Sequence, residues 1–209
     1  MNDNLEIRLV RTKKELHDAL HIRYNVFVEE GHLPKKQSLE MEYDEFDLLE
    51  ETKIFNAYLN NIPIGTVRLV LDSKYGLPLE REIKEFSEIK KSEGVFAEGS
   101  RIAIQKKHRG KKVAWGLLKA GIVYAINEGV TDIFSAGNVG DVGFDVANNI
   151  FVKMGYVPLH DPVALGQFKS RIVPLRLKVS EIKEPFRSFM EEKSDYIEHP
   201  YNQIKFRQL

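Results

Sequence analysis

The sequence predicts an α/β fold built on a mixed sheet. Three observations carry the prediction. Short segments with the period of a strand alternate with longer segments of helical period, as in a sheet covered by helices. Two of the strands are separated by only a tight turn, so at least that pair is antiparallel. No run of about 18 apolar residues occurs, so nothing is long enough to span a membrane as a helix. Of the 209 residues, 43% are hydrophobic and 30% charged, the balance of a globular chain with a substantial core.

Leu5, Ile7 and Leu9 alternate with Glu6 and Arg8 as a strand should. Thr12, with Glu15 three residues on, makes a capping box that opens a helix. Leu16, Ala19, Leu20, Tyr24 and Phe27 form its apolar face, and Gly31 with Pro34 closes the segment. Residues 35–52 are acidic and weakly periodic and read as a loop. Strands follow over 54–59 and 63–71, joined at Asn60-Asn61. A short helix is expected over 82–90, then a strand over 95–105 that runs into the basic cluster 106–112. Val113, Leu117, Ala120 and Tyr124 share one face of a helix over 111–128, which Gly129 stops. A strand over 131–135, a helix over 140–154, a strand over 172–179 and an amphipathic segment over 181–190 complete the reading. Residues 1–209 are expected to form a single domain, with 180–209 as a C-terminal extension.

Lys plus Arg and Asp plus Glu number 31 each, so no global field draws the chain to nucleic acid or an anionic membrane. Cysteine is absent, which excludes thiolate catalysis and cysteine-ligated zinc. The histidines lack zinc-ligand spacing, and the carboxylates of Glu42, Asp44 and Asp47 lack a glycine-turned calcium loop, so no metal is expected. The first residues contain neither a basic leader followed by an apolar run nor a lipidation motif, so a cytoplasmic location is expected.

Residues 98–114 run as strand, basic turn and helix. That order aims backbone N–H groups and the positive helix end at an anion, to which Lys107, Arg109, Lys111 and Lys112 add charge. A merely solvated cluster is the alternative, although basic residues at a helix start oppose the dipole, a cost that a bound phosphate would offset. Glu98 is a candidate base, or else an ion-pair partner of Arg68 or Arg101. Arg23, Arg68 and Arg101 interrupt apolar surroundings, where a guanidinium suits a carboxylate.

Arg109, Lys112 and Ala114 occupy the three places of the acyl-CoA-binding motif of the GNAT superfamily, and the run from Asn148 to Tyr156 resembles its later segment. Lys112 stands where the middle glycine is usual, and Phe151 where many members carry a tyrosine that protonates the leaving thiolate. Four further segments, Arg23-Tyr-Asn-Val-Phe27, Glu42-Tyr-Asp-Glu-Phe-Asp47, Gly65-Thr-Val-Arg68 and Glu98-Gly-Ser-Arg101, match in order the markers of one GNAT branch. That branch contains the acyl-homoserine lactone synthases and the long-chain N-acyl amino acid synthases. The resemblance spans about residues 5–179. It implies a GNAT-like mixed central sheet with helices on both faces, and an N-acyltransferase that moves an acyl group from acyl-CoA or acyl carrier protein to a small-molecule amine. It implies Glu98 as base and Ser100 as its orienting partner or a donor to the thioester carbonyl. Arg23, Phe27, Asp44, Asp47, Arg68 and Arg101 would shape the acceptor pocket. Ile102, Ile104, Lys107, Arg109, Gly110, Lys111, Lys112, Val113 and Ala114 would hold the donor. An acetyl-CoA-dependent N-acetyltransferase and a non-catalytic thioester-binding module are the alternatives.

Overall fold

Thr12 and Glu15 form the reciprocal cap the sequence predicts: the Glu15 N–H donates to the Thr12 hydroxyl at 3.2 Å, and the Thr12 N–H donates to the Glu15 carboxylate at 3.0 Å. The computed structural model describes residues 4–35, 39–83, 86–90, 93–139, 145–164, 169, 171–204 and 206. Strand β1 (Leu5–Leu9) is followed by α1 (Lys13–Arg23), which widens into a π-helical stretch, Tyr24–Glu29, where ordinary helix was expected to Phe27. Ile22 of α1 and Val26 of the π-helical stretch bury together against Ala103. The acidic segment read as a loop contains a 3-10 turn, Glu45–Leu48.

Strands β2 (Thr52–Leu59) and β3 (Ile62–Leu71) form the expected hairpin. Asn60 and Asn61 both take positive φ, 50° and 63°, the left-handed pair that matches the twist of a two-residue hairpin. Two short helices follow, α2 (Pro78–Glu82) and α3 (Phe86–Ile89), in place of one over 82–90, because Pro78 is preorganised for a first helical position. Then come β4 (Phe96–Ile104), α4 (Lys111–Asn127), β5 (Asp132–Asn138), α5 (Asp145–Met154), β6 (Val157–Pro158), β7 (Val163–Ala164), β8 (Arg171–Lys178) and α6 (Phe186–Glu191). The expected start of α5 at 140 falls in 140–144, outside the described residues.

The sheet runs β1-β2-β3-β4-β5-β8-β6, with β7 also on β8, and among these described strands only β4 and β5 pair in parallel. Helix α1 covers one face, where the Asn56 amide donates to the Glu15 carbonyl. Helix α4 covers the other, packing Leu117 and Ala120 on Phe55, Ala57 and Val67. No helix among the described residues is long and apolar enough to cross a membrane.

The C-terminal segment packs into this core. Val179, Ile182, Phe186, Met190, Ile204 and Phe206 join the cluster beneath α4, and Trp115 meets the rings of Phe186 and Phe189 at 4.9 and 5.9 Å. The same segment covers the outer edge of β1: the Ile7 N–H donates to the Tyr196 carbonyl at 2.7 Å and the Glu198 N–H to the Ile7 carbonyl at 2.8 Å. An edge strand is thereby closed to other chains. Lys119 fastens the segment from inside. Its side chain is fully buried, and Nζ donates to the carbonyls of Phe189 and Glu192 and to Ser194 Oγ. Burial pushes its pKa down to about 8, so it is still an ammonium at pH 7, with three acceptors for its three donors. Lys119→Met leaves those acceptors unpaired in the interior. A loss of about 2 kcal/mol in urea unfolding is expected, with early proteolytic release of the segment beyond α6.

Candidate active site

Strands β4 and β5 pair from Phe96↔Asp132 to Gly99↔Ser135 and then part, although β4 runs on to Ile104 and β5 to Asn138. The Ser135 hydroxyl donates to the Gly99 carbonyl at 2.9 Å and closes the last joined row. The cause of the parting lies in β4. Arg68 pairs with Ser100 and Thr66 with Ala103, so two residues of β4 face one of β3. This is a bulge, and bulges bend the strand that carries them. Arg101 sits in it at φ 53°, a left-handed conformation that costs a side-chain-bearing residue about 1–2 kcal/mol. The extra residue also reverses the alternation. Glu98, Ser100 and Arg101 all reach the α1 face, whereas Ile102 and Ile104 turn towards α4.

The arginines and carboxylates singled out in the sequence converge there. Arg23 Nη1 donates to Asp47 Oδ1 at 2.7 Å. Arg68 Nη1 donates to Asp44 Oδ1 at 2.5 Å and lies 3.2 Å from Asp47 Oδ1, while its Nε donates to Ser100 Oγ at 3.1 Å. Arg101 donates through Nε to Glu42 and through Nη2 to Asp44 Oδ2, both at 3.0 Å. The 3-10 turn holds the acids in place: the Asp44 N–H donates to Asp47 Oδ2 and the Phe46 N–H to Asp44 Oδ1, each at 3.0 Å. The side chains of Arg23 and Arg68 are fully buried. Burial works to raise the Asp47 pKa, but Arg23 and Arg68 outweigh it and hold the carboxyl below the usual range.

Glu98 is 2% exposed, and its Oε2 accepts the Leu79 N–H at 2.8 Å. Burial pushes its pKa up to about 7, against the Leu79 hydrogen bond and the charges of Arg68 and Arg101. It lines a cavity of about 400 Å³ that passes through the opening between β4 and β5. Asp44, Arg68, Ser100 and Arg101 line one end with Phe27; Leu117, Leu118 and Ile122 of α4 line the other with Ile133, Phe151 and Tyr156. Such a space accepts a molecule charged at one end and apolar at the other.

The model of the N-acyl amino acid synthase FeeM matches residues 18–144, more than half of the chain. The chain belongs to the FeeM family of N-acyl amino acid synthases. Solved structures agree at the level of fold. FeeM from uncultured soil microbes superposes with a TM-score of 0.72 at 16% identity, covering 90% of this chain and 95% of that one. BjaI, a CoA-dependent acyl-homoserine lactone synthase solved with SAM and isopentyl-CoA, gives 0.66 at 16% identity, covering 87% and 85%. In sequence, the uncharacterized protein YyaT of Bacillus subtilis (strain 168) is 40% identical over 65 residues, 31% of this chain. The match spans about two-fifths of that relative's length.

In this member of the FeeM family, side chains of the basic turn have partners within the chain. Arg109 donates from Nε to the Ile104 carbonyl at 3.0 Å and from Nη2 to both oxygens of Glu30 at 2.6 Å. Lys112 Nζ stands 4.9 Å from the centre of the Tyr196 ring. Lys107 and Gly110 are exposed, and Val113 and Ala114 pack on the cluster around Leu117. The side chain of Lys111 lies outside the described residues. Gly110 caps α4 without a side-chain hydrogen bond, and a glycine has no side chain with which to take the first-turn donors. Sequence reasoning missed Leu79, because a backbone donor has no residue signature; the signal was Pro78, which marks the helix start that aims it. Glu30 was missed as well, being one of several acids near the end of α1. Phe151 and Tyr156, with ring centres 5.2 Å apart, form one wall of the apolar end.

Proposed function

We propose that the protein is an N-acyltransferase that moves a medium or long acyl chain from a thioester, on CoA or on acyl carrier protein, to the amine of an amino acid or related small molecule. The observation that carries this reading is Glu98, a buried carboxyl with a pKa of about 7 in a cavity charged at one end and apolar at the other. An ammonium has no lone pair, and a base that ionises near neutrality is suited to freeing one. The Glu98 carboxylate takes a proton from the ammonium. The amine then forms the C–N bond at the thioester carbonyl, the C–S bond breaks, and the thiolate leaves with its electron pair. Phe151 has no proton to give, so the thiolate takes one from the attacking nitrogen or from solvent.

Ser100 accepts from Arg68, which leaves its own O–H to orient Glu98 or to donate to the thioester oxygen. Arg23, Asp44, Asp47, Arg68 and Arg101, with Phe27, shape the acceptor end. The pantetheine arm lies along the edge of β4 at Ile102 and Ile104, in the opening left by β5. Its phosphates meet Lys107, the uncapped start of α4 from Gly110 through Ala114, and Arg109. The Arg109–Glu30 pair is at the surface, where an ion pair is worth at most about 1 kcal/mol, so a phosphate can displace the carboxylate. The family's name and the BjaI structure with isopentyl-CoA support this assignment.

The test is incubation with thioesters from acetyl to palmitoyl, on CoA and on acyl carrier protein, with amino acids and S-adenosylmethionine, and detection of products by mass. A medium- or long-chain amide is expected. Acetylated amines alone would move the reading to an ordinary N-acetyltransferase, and tight binding without turnover to a thioester-binding module.

A further inference from the structure

Helix α4 has 17 residues and carries two interior glycines, Gly116 and Gly121. Glycine weakens a helix interior relative to alanine, so each needs a reason. At Gly116 the reason is contact: a Cβ there would lie 2.5 Å from Ile7 Cδ1 and 2.8 Å from the Tyr196 ring. Gly121 has neither that reason nor a positive φ. It is buried and lines the cavity, yet a Cβ built on it meets nothing within 4 Å. Buried space beside a residue that lacks a side chain belongs to the cavity itself. Its neighbours on the same stripe are Leu117, Leu118 and Ile122, and Phe151 also lines this end. An apolar pocket of that kind favours an alkyl chain over water.

We propose that Gly121 sets the length of acyl chain that the enzyme accepts, by leaving open the path of the tail past α4. This rests on the acyltransferase reading and adds to it the residue that selects among donors. The absent side chain trades helix stability for room, so filling the position should strengthen the fold and shorten the substrate.

Gly121→Ala and Gly121→Leu are compared with the wild type over an acyl-CoA series from acetyl to palmitoyl, by kcat/KM, by calorimetric binding and by thermal unfolding. Gly121→Ala is expected to raise the melting temperature by roughly 2–4 °C and to move the preferred chain shorter by about one carbon. Gly121→Leu is expected to lower kcat/KM for the longest accepted chain at least tenfold relative to butanoyl. Calorimetry separates this inference from the function on which it rests. If the wild type transfers no acyl group but Gly121→Leu still loses long-chain binding relative to short, the acyltransferase reading fails and the chain-length role stands. Unchanged chain preference in both variants overturns the proposal. So does a lower melting temperature for Gly121→Ala, which would mean that the glycine serves packing. Should the leucine fail to fold, the alanine variant decides alone.

Discussion

Glu98→Gln should lower kcat/KM for acyl transfer by roughly 10²–10⁴-fold, the usual contribution of a positioned base, in a chain that remains folded. The amide keeps an oxygen for the Leu79 N–H but cannot take a proton from the acceptor. The pH profile provides the sharper test. With the Glu98 pKa near 7, the active carboxylate forms as pH rises, so wild-type kcat/KM should climb through about 7. The variant should lack that inflection, and an inflection that persists would assign it to another group. Stability should move the other way. A carboxyl whose folded pKa lies above its unfolded value of about 4.3 contributes stability that is full below that value and lost as pH rises through about 7. Above pH 7 the wild type carries a desolvated charge that the amide does not. Glu98→Gln should therefore melt at the same temperature as wild type or higher, and the loss of activity would then not be a loss of fold.

The residues that meet around Glu98 were legible because their types are unusual for their surroundings. Arg68 interrupts the apolar run of β3, Arg23 borders the apolar face of α1, and Asp44 and Asp47 lie three apart in the acidic segment, the spacing of the 3-10 cap that the structure shows. Composition and period also gave the sheet, the hairpin and the two principal helices, since each of these depends on neighbours in the sequence. Features that depend on register across strands were not legible. Nothing local says that β4 gains a residue at Arg101, yet that bulge puts Ser100 and Arg101 on one face and opens the strand from β5. The partners of the basic turn were hidden for a related reason. Glu30 and Tyr196 lie 79 and 84 residues from Arg109 and Lys112 respectively, and no period connects them. The role proposed for Gly121 depends on space, which a sequence does not record.

Asp47→Ala should be the most destabilising change at the site, on the order of 3–5 kcal/mol, a large share of the usual stability of a domain. One oxygen of Asp47 meets guanidinium nitrogens of both Arg23 and Arg68, and the other accepts the Asp44 N–H. Alanine removes the carboxylate that Arg23 meets at 2.7 Å, in a place where the arginine side chain has no exposure, and removes half of the cap that shapes the 3-10 turn. Arg68 fares better, since Asp44 remains at 2.5 Å. Its pKa is already raised: burial acts to lower it, and Asp47 and Asp44 more than compensate. Asp47→Asn, which keeps an acceptor for the Asp44 N–H while losing the charge, should cost less than alanine, and the difference measures the cap. The pH dependence has a definite sign. The folded pKa of Asp47 lies below its unfolded value of about 3.9, so its contribution is present above that value and is lost as pH falls through the folded pKa. Wild-type stability in urea should therefore fall steeply below about pH 4, whereas Asp47→Ala should lack that part of the slope. A loss under about 1 kcal/mol at neutral pH would mean that water replaces the carboxylate beside Arg23, and that the site is held by its apolar packing instead.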